Sequence, residues 1–247
     1  VMREEFGAKN PKSLMLRFHT QTAGVQLTAQ QPEVNMVRVA IQALAAVLGG
    51  TQSLHTNSFD EAIALPTEKA ARLALRTQQV VAYESDVTKT VDPFAGSYAI
   101  ESLTNGVEAA AQDLMDKVAE MGGAVAALEN GFQKGEIERS AYRIANEIDS
   151  GERVVVGVNK FTTDSDEPYE PLKVNPAIEA EQRARLEKLR AERGDISGLL
   201  EAVREAARGT DNVLYPMREA LQARATVGEV STALRDVWGE YVPHDVF

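Results

Sequence analysis

The sequence predicts an α/β fold in which strands alternate with helices over residues 1–161 and helices alone follow. One observation is that two apolar runs end in closely similar strings, His-Thr-Gln at 19–21 and His-Thr-Asn at 55–57. A second is that a helical pattern of apolar residues separates these runs, which is the order of a parallel sheet with crossover helices. The third is an ordinary globular composition, with 44% hydrophobic and 26% charged residues in a chain of 247.

Two strands and two helices are predicted in the first part of the chain. Apolar and polar side chains alternate over residues 14–19, as they do in a half-buried strand. A helix follows over 32–48, with apolar residues at helical spacing and two glycines after its end. A second strand is predicted at 51–54 and a second helix at 66–83. Each strand would carry its polar string at its carboxyl end, where the active sites of repeated strand–helix units lie.

The middle of the chain is predicted to contain a turn, three helices and two further strands. The turn covers residues 92–97, which include proline and glycine, and a weak strand candidate follows at 98–101. Glycines separate helices predicted at 103–121, 124–130 and 135–149. The valine-rich residues 153–158 indicate a short buried strand.

The composition changes after residue 161. Residues 162–175 are acidic and contain Pro168 and Pro171, which is typical of a linker. Helices are then expected at 176–193, 196–208 and 213–223, and Thr226 and Glu229 form a capping-box pattern that begins a last helix. The sequence thus predicts a strand–helix domain over 1–161, a linker over 162–175 and a helical segment over 176–247.

The number of predicted strands leaves two architectures open. Three or four strands are predicted, whereas a (β/α)8 barrel closes with eight. The chain is therefore either a small open sheet or the C-terminal part of a barrel whose first strands lie on another segment. Periodicity does not distinguish the two, because a strand–helix unit has the same pattern in both.

Charge, hydropathy and cysteine content exclude several classes of protein. A net charge of −11 argues against a surface for nucleic acid or an anionic membrane, which would need clustered Lys and Arg. No window approaches about 18 consecutive apolar residues, and residues 1–5 lack the apolar core of a signal peptide. The absence of cysteine excludes a disulfide, a thiolate–zinc site and radical-SAM chemistry. We expect a cytoplasmic location.

Four segments of the sequence are long enough to be compared with known families: residues 17–24, 49–62, 92–98 and 157–160. In order and spacing they resemble the second half of the catalytic barrel of the methylmalonyl-CoA mutase family, whose members are adenosylcobalamin-dependent acyl-CoA mutases. The resemblance implies the C-terminal portion of a (β/α)8 TIM barrel followed by a helical tail. It also implies a radical rearrangement of the carbon skeleton of a short branched acyl-CoA.

Within this family the sequence is more similar to the large subunit of isobutyryl-CoA mutases. Residues 23–27 read Ala-Gly-Val-Gln-Leu where methylmalonyl-CoA mutases typically have Ser-Gly-Trp-Ser-Leu, residues 31–35 also differ, and Phe94 replaces a tryptophan. The family's Asp-x-His-x-x-Gly motif, which supplies the lower cobalt ligand, does not occur in this sequence. The resemblance therefore implies a hetero-oligomer with an upstream barrel segment and a small cobalamin-binding subunit that supplies the ligand.

The resemblance also assigns five residues to the binding of adenosylcobalamin. Glu61 would bond the ribose of the adenosyl group and Asn57 would support it, while Gln21 would face the corrin. Gly24 would let the backbone approach the ring closely, as only a residue without a side chain can, and Leu65 would add an apolar contact. Because neighbouring parallel strands lie about 4.8 Å apart, we expect the two polar strings to lie side by side and open onto one mouth.

The catalytic acid is not identified by the sequence. The family's substrate-carbonyl histidine belongs to an upstream motif, so neither His19 nor His55 is assigned to it. On local grounds Glu61, beside Asp60, would be a solvated carboxylate, and only the resemblance gives it a function. Two other classes stay open: a non-catalytic binding or assembly module derived from such a mutase, and an unrelated aldolase-like enzyme, for which Lys160 is the candidate lysine.

Overall fold

The computed structural model describes residues 1–164 and 169–242, and the chain divides into two compact units. Unit 1 comprises Val1–Leu172 and unit 2 comprises Lys173–Phe247. Their boundary falls inside the acidic segment 162–175, whose Pro168 lies outside the described residues. Over the described residues the fold is mixed α/β, mostly helical with a small parallel sheet.

The described part of unit 1 contains two strands and five α-helices. They are β1 (His19–Gln21), α1 (Val34–Leu48), β2 (Ser53–His55), α2 (Glu68–Glu84), α3 (Tyr98–Glu120), α4 (Ala124–Glu129) and α5 (Phe132–Asp149). Short 3-10 turns cover Pro11–Leu14, Gly24–Gln26 and Val87–Lys89. Thr67 is the N-cap of α2, since its hydroxyl accepts a hydrogen bond from the backbone N–H of Ala70 (3.2 Å).

Strands β1 and β2 are parallel neighbours, and α1 is the crossover between them. In their register His19 pairs with Ser53, Thr20 with Leu54 and Gln21 with His55. The backbone N–H of Thr22 also donates to the carbonyl of His55 (3.0 Å). The two polar strings therefore leave the sheet side by side at one edge, as the sequence predicts.

Two strand predictions in unit 1 need correction. The first strand, predicted over 14–19, lies later in the chain at His19–Gln21, because Pro11–Leu14 forms a 3-10 turn and pairing in the ladder starts at His19. The weak strand at 98–101 is wrong, because these residues form the first turn of α3. Ser97 has the extended backbone of an N-cap, and Glu101 accepts a hydrogen bond from the N–H of Gly96 (2.9 Å). These local contacts favour a helix start over a strand.

The buried strand predicted at 153–158 is also wrong. Asn159 holds this segment in a turn, because its Oδ1 accepts from the N–H of Val155 (2.8 Å) and its Nδ2 donates to the carbonyl of Arg153 (2.8 Å). One isolated bridge pairs Val156 with Lys160, and Val156 is exposed. Hydrogen bonds from a side chain to nearby backbone thus override the β propensity of the valines.

Unit 2 is helical throughout its regular structure. Its helices are α6 (Pro176–Glu192), α7 (Ser197–Arg208), α8 (Leu214–Gln222) and α9 (Val227–Trp238). The predicted capping box is confirmed, because the Thr226 hydroxyl accepts from the N–H of Glu229 (3.2 Å) and the Glu229 carboxylate accepts from the N–H of Thr226 (2.8 Å). The helices enclose one apolar cluster of buried residues: Ile196, Val203, Ala220, Ala225, Val230 and Ala233.

Among the helices within residues 1–164 and 169–242, none combines the length and the apolar character needed to cross a bilayer.

Candidate functional site

The two polar strings meet through a pair of amide side chains. Gln21 is the last residue of β1, and its Nε2 donates to Oδ1 of Asn57, beyond the end of β2, at 3.0 Å. Asn57 is buried, and its backbone N–H and its Nδ2 donate to the hydroxyl and the carbonyl of Thr22, at 2.9 and 3.0 Å. Asn57 is thus fixed by three hydrogen bonds, two from its side-chain amide and one from its backbone N–H, while Gln21 is exposed.

Gly24 lies against this amide pair and against Glu61. A methyl group at Gly24 would lie 2.7 Å from Oε1 of Glu61 and 2.9 Å from Nδ2 of Asn57, closer than carbon atoms normally approach. The exposed end of Glu61 could move away, but the buried and hydrogen-bonded amide of Asn57 could not, so close packing against Asn57 favours glycine here although its φ is not positive. The structure places Gln21, Gly24, Asn57 and Glu61 together, as predicted from the two strings.

Leu65 lies farther along the same loop. It is exposed and, with Glu61 and His55, lines an open cleft of about 590 Å³ beside α2. Gln21, Gly24 and Asn57 do not line this cleft. Leu65 is therefore a neighbour of Glu61 at the rim, while the polar cluster forms a separate contact region around Gly24.

Asp60 is the residue of this region that sequence reasoning missed. It is completely buried, and its Oδ2 accepts from the hydroxyl of Tyr169 (2.5 Å) and from the backbone N–H of Thr67 (3.1 Å). Burial opposes its ionisation, but hydrogen bonds from Ser58, Tyr169 and Thr67 outweigh burial and lower the pKa of Asp60. Asp60 is an ionised anchor that fastens the turn carrying Glu61 to the start of α2.

Tyr169 belongs to the segment that the sequence predicts as a linker, yet it contacts this turn. Its ring meets the ring of Phe59 edge to face, with centroids 5.7 Å apart and an interplanar angle of 79°. Burial and the hydrogen bond to Asp60 raise the pKa of Tyr169. No local pattern predicts this pairing, because Asp60 and Tyr169 are 109 residues apart in the sequence.

The two histidines lie at opposite ends of the sheet strands. His19 begins β1, and its Nδ1 lies 2.7 Å from Oγ of Ser53, whereas His55 ends β2 on the side of the cluster. Within the described parts of the chain, no group of three metal-ligating side chains could hold a metal ion. The cluster offers an exposed carboxylate and amides, which suit the binding of hydroxyl and amide groups of a ligand.

Comparison with known proteins gives one consistent result. A family model described as "Methylmalonyl-CoA mutase" matches residues 1–240. Among similar proteins, the methylmalonyl-CoA mutase of Escherichia coli (strain K12) is 46% identical over 240 residues, which are 96% of this chain and 34% of that protein.

Two further relatives show the same coverage. The methylmalonyl-CoA mutase of Cereibacter sphaeroides is 48% identical over 241 residues, 96% of this chain and 34% of its own length. The mitochondrial enzyme of Homo sapiens is 45% identical over 249 residues, 99% and 33% of the two lengths. The chain thus spans about a third of the length of the relatives it matches.

Proposed function

The chain belongs to the methylmalonyl-CoA mutase family, and on that premise we propose that it is part of the catalytic subunit of an adenosylcobalamin-dependent acyl-CoA mutase. The relatives are methylmalonyl-CoA mutases, which are isomerases. The observation that carries the proposal is the convergence of Gln21, Gly24, Asn57 and Glu61 at the carboxyl ends of two parallel strands. The substrate we propose is a short branched acyl-CoA of the isobutyryl or methylmalonyl type.

The donor set of this cluster fits adenosylcobalamin. The cofactor presents ribose hydroxyls and corrin amides, and the exposed Glu61 and Gln21 offer a carboxylate and an amide that can bond to them. Gly24 leaves the backbone without a side chain where Glu61 and Asn57 already approach it. When bound, the cofactor would supply a radical by homolysis of its cobalt–carbon bond.

The residues of this chain would hold the cofactor and position it. Glu61 would accept a hydrogen bond from a ribose hydroxyl, and Asn57, already fixed by Thr22, would support that contact. Gln21 would face the corrin, and Leu65 would add an apolar contact at the rim. The cobalt ligand would come from another domain or subunit.

The remainder of the barrel would lie on an upstream segment. We propose that β1 and β2 are adjacent strands of a (β/α)8 barrel within 1–161, joined through 162–175 to the helical segment 176–247. Apolar side chains such as Leu16 (79% exposed) and Ile41 (65% exposed) would then contact that segment. With a small cobalamin-binding subunit this gives a hetero-oligomer, which we place in the cytoplasm.

A second candidate is a non-catalytic assembly or binding module derived from such a mutase. The observation that favours it is that the cluster offers groups that could bind a cofactor, whereas no catalytic acid is identified among the described residues. Turnover distinguishes the two candidates. The enzyme proposal predicts turnover of an acyl-CoA only when the chain is combined with the upstream segment and the cobalamin-binding subunit; the chain alone should have none.

The decisive substitution is Glu61→Gln in the assembled enzyme. Loss of the Glu61 carboxylate would remove a charge-assisted hydrogen bond to the ribose, so turnover should fall by roughly one to two orders of magnitude. The melting temperature should stay unchanged, because Glu61 is exposed. Turnover, adenosylcobalamin affinity and melting temperature are measured together.

Glu68→Gln is the matched control for this substitution. Glu68 begins α2, its side chain is 92% exposed, and it pairs only with Arg72 among the ion pairs of the described residues. It should leave turnover and cofactor affinity unchanged. Unchanged turnover in Glu61→Gln would remove Glu61 from the site, and a collapsed melting temperature would assign it a structural role.

A further inference from the structure

We propose that Asn35 is a positioning residue that sets the place of Glu61 through the backbone of Phe59. The inference rests on the proposed function, because it concerns the geometry of the same cofactor site. Asn35 lies in the first turn of α1 and does not itself approach the Gln21–Glu61 cluster in any contact of the described residues. Its effect on a ligand would therefore be transmitted through the loops that it binds.

Asn35 is fully buried and uses all of its hydrogen-bonding capacity. Its Oδ1 accepts from the N–H of Thr28 (3.1 Å) and from Nη1 of Arg38 (2.7 Å). Its Nδ2 donates to the carbonyls of Thr28 and Phe59, both at 2.8 Å. A primary amide has two donors and two acceptor positions, so each is satisfied by protein. Such a buried network holds one arrangement, because any other leaves polar atoms unpaired.

The two loops that Asn35 joins are those that carry the site. Thr28 belongs to the loop that begins at Gly24 after β1, and Phe59 belongs to the turn after β2 that contains Glu61. Gly24 and the Glu61 carboxylate are already in close approach, so a small shift between these loops would open or close that contact. Asn35 is thus a direct side-chain bridge between the loop of Gly24 and the turn of Glu61.

Arg38 connects the same bridge to a third segment. Its Nη1 also donates to the hydroxyl of Thr28 (3.1 Å), and its Nη2 donates to the carbonyl of Val156 (2.7 Å). Gln31, just before α1, donates to the carbonyl of Phe161 (3.0 Å). The turn at 156–161 is therefore bound near both of its ends, to Arg38 in α1 and to Gln31 just before α1. These two hydrogen bonds restrain the Asn35–Arg38 pair.

The substitution Asn35→Asp tests the two donated hydrogen bonds selectively. The side chain keeps its size, and a carboxylate would still accept from Thr28 and would face the positive charge of Arg38. The aspartate would lack both N–H donors. Its second carboxylate oxygen would instead face the carbonyl oxygens of Thr28 and Phe59, which repel it. The link to the turn of Glu61 is then broken while the acceptor side is kept.

A double-mutant cycle in the assembled enzyme distinguishes positioning from general support of the fold. Asn35→Asp should weaken adenosylcobalamin binding by about tenfold when Glu61 is present, and by less than about twofold when Glu61→Gln is already in place. This non-additivity is expected because the effect of Asn35 on the ligand acts through Glu61. Cofactor dissociation constants of the four proteins, with their melting temperatures, provide the measurement.

Asn10→Asp is the matched control, since it is the same change at another asparagine of unit 1. Asn10 is exposed, and its Oδ1 accepts from the N–H of Lys12 (3.0 Å) at the 3-10 turn Pro11–Leu14, outside the loops that Asn35 joins. It should leave cofactor affinity unchanged. If Asn35→Asp does not fold, Arg38→Lys is used instead, because it keeps the charge but loses the planar guanidinium. It should weaken cofactor binding by about threefold when Glu61 is present, with the same non-additivity towards Glu61→Gln.

The outcomes separate the inference from the proposed function. Equal factors in the presence and absence of Glu61, or an equal loss in Asn10→Asp, would overturn the positioning role while Glu61→Gln still weakens binding. Failure of the unmodified enzyme to bind adenosylcobalamin, or of Glu61→Gln to change binding, would overturn the proposed function itself.

Discussion

The two units differ in the kind of side chain that they bury most completely. In unit 1, the largest fully buried side chains of the described residues are Val39 and the polar residues Asn35, Asn57 and Asp60, and these three polar side chains hold loops around one site. In unit 2, the largest fully buried side chain is Val203, which belongs to one apolar cluster. Unit 1 therefore uses burial of polar groups to fix loop geometry, because hydrogen bonds are directional, in addition to apolar burial, whereas unit 2 uses apolar burial to stabilise its helical packing.

The units also differ in how far they complete their own packing. The sheet of unit 1 consists of two strands of three residues each, and Val25 near the site is 95% exposed. A two-stranded sheet is marginal without further strands or a covering layer. Unit 2 has a contiguous core, a capping box and the indole N–H of Trp238 donating to the carbonyl of Ala207 (3.0 Å). The comparison predicts that only unit 2 folds stably when it is produced by itself.

The largest expected effect is therefore seen when the units are produced separately. Residues 173–247 should unfold in one cooperative transition by circular dichroism and calorimetry. Residues 1–172 should retain helix but bind a hydrophobic dye and melt without a sharp transition, because their apolar faces are uncovered. A cooperative transition in 1–172 and none in 173–247 would reverse the comparison.

A smaller effect is expected from Glu229→Gln in residues 173–247. Both guanidinium nitrogens of Arg193 donate to the Glu229 carboxylate, Nη1 at 2.6 Å. This pairing with Arg193 is the main cause of the lowered pKa of Glu229. Burial would raise that pKa, but the pairing outweighs it, and hydrogen bonds from Thr226 lower the pKa further. Since the pKa is lower in the folded than in the unfolded state, the stabilisation is complete above the ordinary value of 4.5 and is lost as the pH falls below it.

The measurement for Glu229 is the urea midpoint at two pH values. At pH 7 Glu229→Gln should unfold at clearly lower urea than the unmodified unit, and at about pH 3 the difference should be reduced. Arg235→Gln is a suitable control, since Arg235 lies on the same helix but pairs with Glu240 at the exposed surface. A difference that does not depend on pH would show that the charge of Glu229 does not stabilise unit 2.

The smallest effect is expected from removing two methyl groups in the core of unit 2. Val203→Ala should lower the free energy of unfolding by about 2 kcal/mol, because Val203 is completely buried. Val227→Ala, at a valine that is 76% exposed, should change it by less than about 0.5 kcal/mol. Equal effects in chemical denaturation would mean that the apolar cluster does not stabilise the unit.

Much of the candidate site was accessible from the sequence because its parts lie in two short strings. Strand order and the parallel crossover bring Gln21 next to Asn57, and Gly24 lies against Asn57 and Glu61 in the same cluster. The cofactor roles of these residues and of Leu65 stay predictions. Asp60 was not accessible, since the Asp-Glu pair has the pattern of a solvated helix start and its burial depends on Tyr169, far away in the chain.

The sequence by itself determined the family, the order of the first two strand–helix units and most helix boundaries in this protein. Thr67, Thr226 and the interrupting glycines act within a few residues, so their effect is readable locally. Only the tertiary structure decided that 98–101 is helical, that 153–158 is a turn and that Asn35 and Asp60 are buried. The reason is physical: burial of a polar group depends on partners brought together by the fold, and periodicity carries no information about them.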